Sequence, residues 1–274
     1  MAQTSEVQRR GETILAATLR LAQKRWPQRL LSAYALGSLA HGGFSAASDI
    51  DIGLVLDDPL LGTDSEGVTE LAASIQATRK PFADRLSVFW GSVASLSGLT
   101  PGGRFPPLDR LDLIKHGRLL SGIDVRNRLP LPTHRELVLA GAEFAVWRLC
   151  TDEIIGKLKN PEALAQSDTK NLTKLILFPV RFMFTAQTGE VGRNEAAIEH
   201  FAASTPGSSA TLARLALGWR NAEDWRPDKS SIQAIGAGVL PLYRVFVSDH
   251  EQRMREYGRQ DLAEAFQKWQ QRLE

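Results

Sequence analysis

Residues 31–58 read LSAYALGSLAHGGFSAASDIDIGLVLDD, and this stretch decides the predicted fold. An apolar run ends at Gly37 and Ser38, a glycine-rich segment follows, and a second apolar run begins around two aspartates, Asp49 and Asp51. The pattern predicts two β-strands joined by a tight turn. Because side chains alternate faces along a strand, we expect Asp49 and Asp51 to point to the same side, close enough to share one cation.

Two carboxylates at that spacing repel each other unless a cation lies between them, and hard divalent ions prefer oxygen ligands. We therefore predict Asp49 and Asp51 as metal ligands, with Mg²⁺ or alternatively Mn²⁺ as the ion. Gly37 lets the backbone approach a ligand closely, and Ser38 adds a hydroxyl beside amides that can surround a phosphate. An EF-hand loop, the competing interpretation, is excluded because its fixed glycine and terminal glutamate are absent. The combination predicts metal-assisted chemistry on a nucleotide.

The same residues resemble a known signature. Gly37-Ser38 followed by SDID at 48–51 is similar to the motif of the polymerase-beta-type nucleotidyltransferase superfamily. A bare Asp-x-Asp is weak, since about one is expected by chance in a chain this long, but Gly-Ser at this offset between two strand-like runs is much rarer. The resemblance implies an enzyme that binds a nucleoside triphosphate, with Gly37, Ser38 and Ser48 beside the nucleotide.

Composition limits the function classes. Of 274 residues, 43% are apolar and 23% charged, which is ordinary globular usage. The formal net charge is only +2 and lysines and arginines form no cluster, so charge indicates neither nucleic-acid nor membrane binding. A single cysteine, Cys150, excludes an internal disulfide. No run approaches the roughly 20 apolar residues of a membrane span, the start is not typical of a signal peptide, and the expected compartment is the cytoplasm.

Periodicity divides the chain into two predicted domains, an α+β fold overall. Residues 1–128 are predicted as a nucleotidyltransferase core, a short mixed sheet with flanking helices, and 133–274 as an all-α C-terminal bundle after a proline-rich linker. Besides the two strands above, the core is expected to hold a helix over 4–25 capped by Thr4, a helix over 67–78, strands over 84–90 and 117–122, a loop or lid over 91–107, and a helix over 108–116. Bundle helices are predicted at 134–150, 152–159, 169–188, 193–203, 208–222, 228–248 and 251–272.

The second half narrows the resemblance. Leu108–Gly122 resembles the core-closing helix and strand of the aminoglycoside adenylyltransferases, and Leu175–Glu190 resembles a C-terminal helix of those enzymes that ends in Thr-Gly. In those enzymes an arginine of that helix and basic residues just after Thr-Gly face the triphosphate, which implies Arg181 and Arg193 here. The alternative is that these arginines lie on the surface or form ion pairs within the bundle.

One departure concerns the catalytic acid. The superfamily usually places a third carboxylate on the strand after the signature, where it binds metal or deprotonates the acceptor hydroxyl. Aligning that strand puts Ser87 at the position of the acid. Asp84 lies three residues earlier and would face away in a regular strand, unless a bulge turns it inward. Without it the site has two metal ligands and no evident base, and Glu143 of the bundle is a distant substitute.

The resemblance therefore implies a Mg²⁺-dependent nucleotidyltransferase that moves a nucleoside monophosphate, AMP from ATP, onto a hydroxyl of a small molecule. If the acceptor resembles that of the related enzymes, it is aminoglycoside-like and the activity gives antibiotic resistance. One alternative is adenylylation of a protein hydroxyl. The other is a degenerate nucleotide-binding regulatory module, which the missing third carboxylate supports. The acceptor, the preferred triphosphate, the general base and the oligomeric state stay open at this stage.

Overall fold

A computed structural model of the protein describes residues 6–222 and 224–274. The chain divides into two compact units, the first reaching to Pro132 and the second beginning at Thr133. The predicted linker over 128–132 immediately precedes this division. Thr4, the predicted cap of the first helix, lies outside the described residues.

The first unit combines four strands with five α-helices among its described residues. In chain order its elements are α1 (Glu6–Arg25), β1 (Leu30–Leu36), α2 (Gly37–His41), β2 (Ile50–Leu56), α3 (Gly62–Ala77), a 3-10 turn (Ala83–Arg85), β3 (Leu86–Ser92), α4 (Val93–Leu96), α5 (Pro107–His116), β4 (Arg118–Gly122) and a second 3-10 turn (Arg126–Arg128). The predicted mixed sheet with flanking helices is confirmed.

The sheet has the strand order β3-β2-β1-β4. β1 is antiparallel to both β2 and β4, whereas β2 and β3 are parallel. Alternate side chains of β2, beginning with Ile50, join a core that also contains side chains of α1 and α3. On the other face Val55 packs with Leu113 of α5. Asp51 belongs to this second face, so α5 covers the side of the sheet to which Asp51 points.

The second unit is helical throughout its described regular structure. Its helices are α6 (His134–Leu149), α7 (Asp152–Leu158), α8 (Pro161–Ala165), α9 (Thr169–Thr188), α10 (Asn194–Ser204), α11 (Ser208–Asn221), α12 (Lys229–Glu256) and α13 (Gln260–Arg272). Thr133 caps α6 in a reciprocal capping box with Glu136, as a Thr-x-x-Glu sequence predicts. The predicted all-α C-terminal part is confirmed.

Several predicted element bounds were wrong. The boundary between the last two helices was predicted at 249–250, but α12 continues through Asp249 and His250. The chain turns at Gly258, whose φ of 69° suits glycine. α8 was not predicted, because five residues are too few to show a helical repeat of apolar positions. The predicted tight turn after β1 holds the helix α2, and the predicted lid over 91–107 begins with α4. The predicted strand over 84–90 starts two residues later, after a 3-10 turn.

One described helix, α12, is long and apolar enough to cross a membrane by length and composition. Tyr243, Phe246 and Val247 of this helix are buried within the core of the second unit. The central helix of a folded bundle meets the same criteria, and its apolar character is accounted for by that packing.

Candidate active site

The predicted metal ligands lie where β2 begins. Asp49 directly precedes the strand and Asp51 is its second residue, and both are half-buried. Asp51 is in register with Leu36 of β1 on one side and with Ser87 of β3 on the other. Residues in register on neighbouring strands project to the same face, so the Ser87 hydroxyl is the side chain next to Asp51 on β3.

Gly37 packs directly against the Asp51 carboxylate. Its φ is 59°, in the left-handed region, and a Cβ atom at this position would lie 2.7 Å from Asp51 Oδ2. A Cβ atom there would require the Asp51 carboxylate to shift, and the positive φ independently favours glycine. Gly37 was predicted from its closeness to a phosphate; in the structure its backbone conformation and the neighbouring Asp51 already favour glycine.

A residue that sequence reasoning missed, Asp112 of α5, reaches the same loop. The backbone N–H of Gly37 donates to Asp112 Oδ2 at 2.7 Å. The residue is buried, at 7% exposure, and the other oxygen of its carboxylate lies 3.8 Å from His41 Nε2. The available signal was a carboxylate between two leucines of a predicted helix, Leu111-Asp112-Leu113, since ionised groups at buried positions need a partner.

The two predicted nucleotide-binding serines have different surroundings. Ser38 is the second residue of α2 and is half-buried. Ser48 is buried and accepts a hydrogen bond from the Ser45 backbone N–H at 3.1 Å, so its hydroxyl shapes the loop that leads into β2. The Gly37 N–H already donates to Asp112, and contact of Ser38 with a phosphate stays a prediction. Contact of Ser48 with a nucleotide stays a prediction.

The third-carboxylate position is decided by the β2–β3 ladder. The parallel pairing continues without a register shift from Leu86 to Ser92, so β3 contains no bulge. Asp84 lies before the strand, in the 3-10 turn, and is exposed. The geometry therefore places Ser87 beside Asp51 and leaves Asp84 outside the strand.

The two predicted phosphate-binding arginines belong to the second unit and are brought close together there. Arg181 of α9 donates from Nε to the backbone carbonyl of Gly192, and Arg193 is the next residue, at the start of α10. Arg193 is exposed. Glu143, the distant substitute for a base, forms an ion pair with Arg259 at 2.8 Å. A role of either arginine toward a triphosphate stays a prediction.

The side-chain oxygen atoms at the start of β2 and on β3 are of the kind that binds a hard cation. Among residues 6–222 and 224–274, no three histidine, cysteine or acidic side chains are grouped so as to hold a metal ion. Asp49 and Asp51 offer carboxylate oxygens, and the Ser87 hydroxyl can add a neutral oxygen. Oxygen donors of this kind fit Mg²⁺, which keeps several waters and usually takes only one or two protein carboxylates together with substrate phosphates. The residues present fit such an ion bound jointly with a nucleotide.

A solved structure of another protein is similar to this chain over most of its length. No protein-family model and no curated protein sequence matches the chain. Among solved structures, that of spectinomycin adenyltransferase AAD(9) from Enterococcus faecialis with ATP and spectinomycin is similar to this chain, with a TM-score of 0.59 and 16% identity. The match covers 82% of this chain and 96% of that chain. This likeness confirms the predicted fold, a core with a short mixed sheet followed by a helical part, as in that adenyltransferase structure.

Proposed function

We propose that this chain is a divalent-metal-dependent nucleotidyltransferase that moves a nucleoside monophosphate, AMP from ATP, onto a hydroxyl of a small-molecule acceptor. The observation that carries the proposal is the packing of Gly37 against the Asp51 carboxylate at the start of β2. Gly37 brings the backbone and the Asp51 carboxylate next to each other at the start of one strand. A site that binds a phosphate and a cation together needs backbone and carboxylate close to the same ligand.

In the reaction, the acceptor hydroxyl oxygen forms a bond to the α-phosphorus, the bond between that phosphorus and the bridging oxygen breaks, and pyrophosphate leaves. Asp49 and Asp51 would hold Mg²⁺ or Mn²⁺, which when bound supplies positive charge to the phosphate oxygens. Ser38 would bind a phosphate oxygen, and Arg181 is proposed to add positive charge to the triphosphate. Phosphoryl transfer depends mainly on positioning and charge stabilisation, so residues of this kind suffice for the chemistry.

Ser87 stands where a base would be expected. A hydroxyl is not a base at neutral pH, so the proton of the acceptor hydroxyl would pass to solvent. A positioned general base typically contributes about 10²–10⁴-fold. We therefore expect slow turnover compared with an enzyme that has a carboxylate at this position.

The acceptor is proposed by analogy alone. The neighbouring structure contains spectinomycin, and we propose a small polyhydroxylated acceptor of the spectinomycin or aminoglycoside type, with antibiotic resistance as the consequence and the cytoplasm as the place of action. The net charge of +2 offers no acidic surface field that would concentrate a polycationic drug. Spectinomycin and other weakly charged acceptors are therefore the first to test.

A second function is favoured by the serine at position 87. A chain with two metal ligands and no third carboxylate could bind a nucleotide without transferring it, as a regulatory module. Adenylylation of a protein hydroxyl differs from the main proposal only in its acceptor.

The test follows label from ATP carrying a radioactive α-phosphate, together with pyrophosphate release, over a panel of triphosphates with and without spectinomycin and aminoglycosides. Transfer should require Mg²⁺ or Mn²⁺ and be lost in Asp51→Asn. Asp124→Asn serves as the control, since Asp124 pairs with Arg126 in the same unit. Metal-dependent ATP binding without transfer to any acceptor would favour the module, and no ATP binding at all would refute both functions.

A further inference from the structure

The helix α2, which carries the signature residues, is not stable by its own interactions. It has five residues, far fewer than the roughly 12–15 that an isolated helix needs. Its N-cap residue is Leu36, whose side chain makes no capping hydrogen bond. The first amide of the helix, that of the half-buried Gly37, therefore needs an acceptor from elsewhere in the fold.

Asp112 provides the missing cap from a different helix. Its Oδ2 accepts the Gly37 N–H at 2.7 Å, a short charge-assisted hydrogen bond. The same carboxylate lies beside the last residue of α2, because Oδ1 is 3.8 Å from His41 Nε2. One side chain of α5 therefore contacts the first residue of α2 and lies close to its last.

This arrangement is costly for a structural cap. Asp112 is 93% buried, and its Oδ1 makes no hydrogen bond. An N-cap side chain normally accepts from the second or third amide of a helix, so a serine or asparagine in place of Leu36 would not satisfy the Gly37 amide. Leu36 itself belongs to the core on this face of the sheet. The carboxylate of a different helix accepts the Gly37 amide instead.

The cap also controls where Gly37 lies relative to Asp51. Gly37 is held on its N–H by Asp112, and its α-carbon rests against the Asp51 carboxylate, with no room for even a methyl group between them. We propose that Asp112 is a positioning residue of the nucleotidyl-transfer site, which holds Gly37 against Asp51 and thereby fixes the geometry of that metal-binding carboxylate. This inference rests on the proposed function and adds a residue that the signature does not contain.

We expect the acceptor atom of Asp112, more than its charge, to hold Gly37 in place. Asp112→Asn retains an oxygen that can accept the Gly37 N–H, whereas Asp112→Ala removes it and Asp112→Leu removes it while filling the space. The matched control is Asp64→Ala. Asp64 is also a buried carboxylate that accepts a backbone amide at 2.7 Å, from Leu61, but it belongs to α3 on the opposite side of the sheet.

The experiment measures binding of a fluorescent ATP analogue as Mg²⁺ is titrated, at a temperature well below the melting point of every variant. Asp112→Ala and Asp112→Leu should raise the Mg²⁺ midpoint at least tenfold, Asp112→Asn should stay within about threefold of the natural chain, and Asp64→Ala should lower only the melting temperature. Asp112→Leu carries the test if Asp112→Ala does not fold, because an apolar side chain is compatible with the buried position between Leu111 and Leu113.

Two results would overturn the inference alone. The first is a Mg²⁺ midpoint in Asp112→Ala or Asp112→Leu equal to that of Asp64→Ala, which would make Asp112 a purely structural residue. The second is a tenfold or larger increase in Asp112→Asn, which would mean that the charge is used directly. If the natural chain binds no ATP analogue at any Mg²⁺ concentration, the proposed function fails and this inference fails with it.

Discussion

Replacing Gly37 by alanine tests the closest contact in the candidate site. Two costs follow from the structure. A non-glycine residue at a φ of 59° pays about 1–2 kcal/mol of backbone strain. The new Cβ atom would also lie 2.7 Å from Asp51 Oδ2, whereas ordinary contact begins at 3.4 Å, so the two groups must separate by the difference, 0.7 Å.

The strain should lower stability by a few degrees of melting temperature and leave the protein folded. The displacement should affect function much more, because a misplacement of about 1 Å in a catalytic arrangement can cost about 10²-fold. We therefore expect Gly37→Ala to reduce nucleotidyl transfer by about 10- to 100-fold. The measurements are label transfer from ATP at saturating Mg²⁺ and thermal unfolding of the same preparation.

Gly98→Ala is the matched control. Gly98 lies in the same unit with a φ of 73°, and a Cβ atom there would meet nothing within 4 Å. This variant should show the backbone strain without the displacement of Asp51. If Gly37→Ala and Gly98→Ala lose stability equally and Gly37→Ala retains transfer within twofold, the close approach of Gly37 to Asp51 has no functional role and the reasoning is wrong.

Three further predictions concern other residues. Ser87→Asp should lower the Mg²⁺ requirement and raise turnover, while Asp84→Ala stays within about twofold; a tenfold loss in Asp84→Ala would contradict the assignment. Arg181→Ala should weaken ATP binding more than adenosine binding in calorimetry, and equal weakening would make the arginine structural. Burial alone would raise the pKa of Asp64, but hydrogen bonds, with that from Arg29 foremost, lower it below its ordinary value. Asp64 therefore stabilises the fold at neutral pH, and the loss of stability in Asp64→Asn should shrink as the pH falls below about 4, measured by urea unfolding; a loss that is constant with pH would contradict this.

Sequence alone was sufficient for the features that depend on local patterns. The apolar residues that alternate with Asp49 and Asp51 predict a strand, because side chains along a strand repeat every two residues. Gly37 before Ser38 indicates a tight turn of the backbone. The cap at Thr133 and the long helical periodicity after it predict a helical second part. These signals are short in range, and each can be read within a window of about twenty residues or fewer.

Tertiary structure alone decided which distant residues meet at the site. The parallel pairing of β2 with β3 puts Ser87 beside Asp51, although 35 residues lie between them in the sequence. Asp112 reaches Gly37 across 75 positions because α5 covers the face of the sheet to which Asp51 points. No local pattern encodes such a contact. The Gly37 N–H has no acceptor within its own short helix, so it bonds to the side chain that packing brings within hydrogen-bond distance.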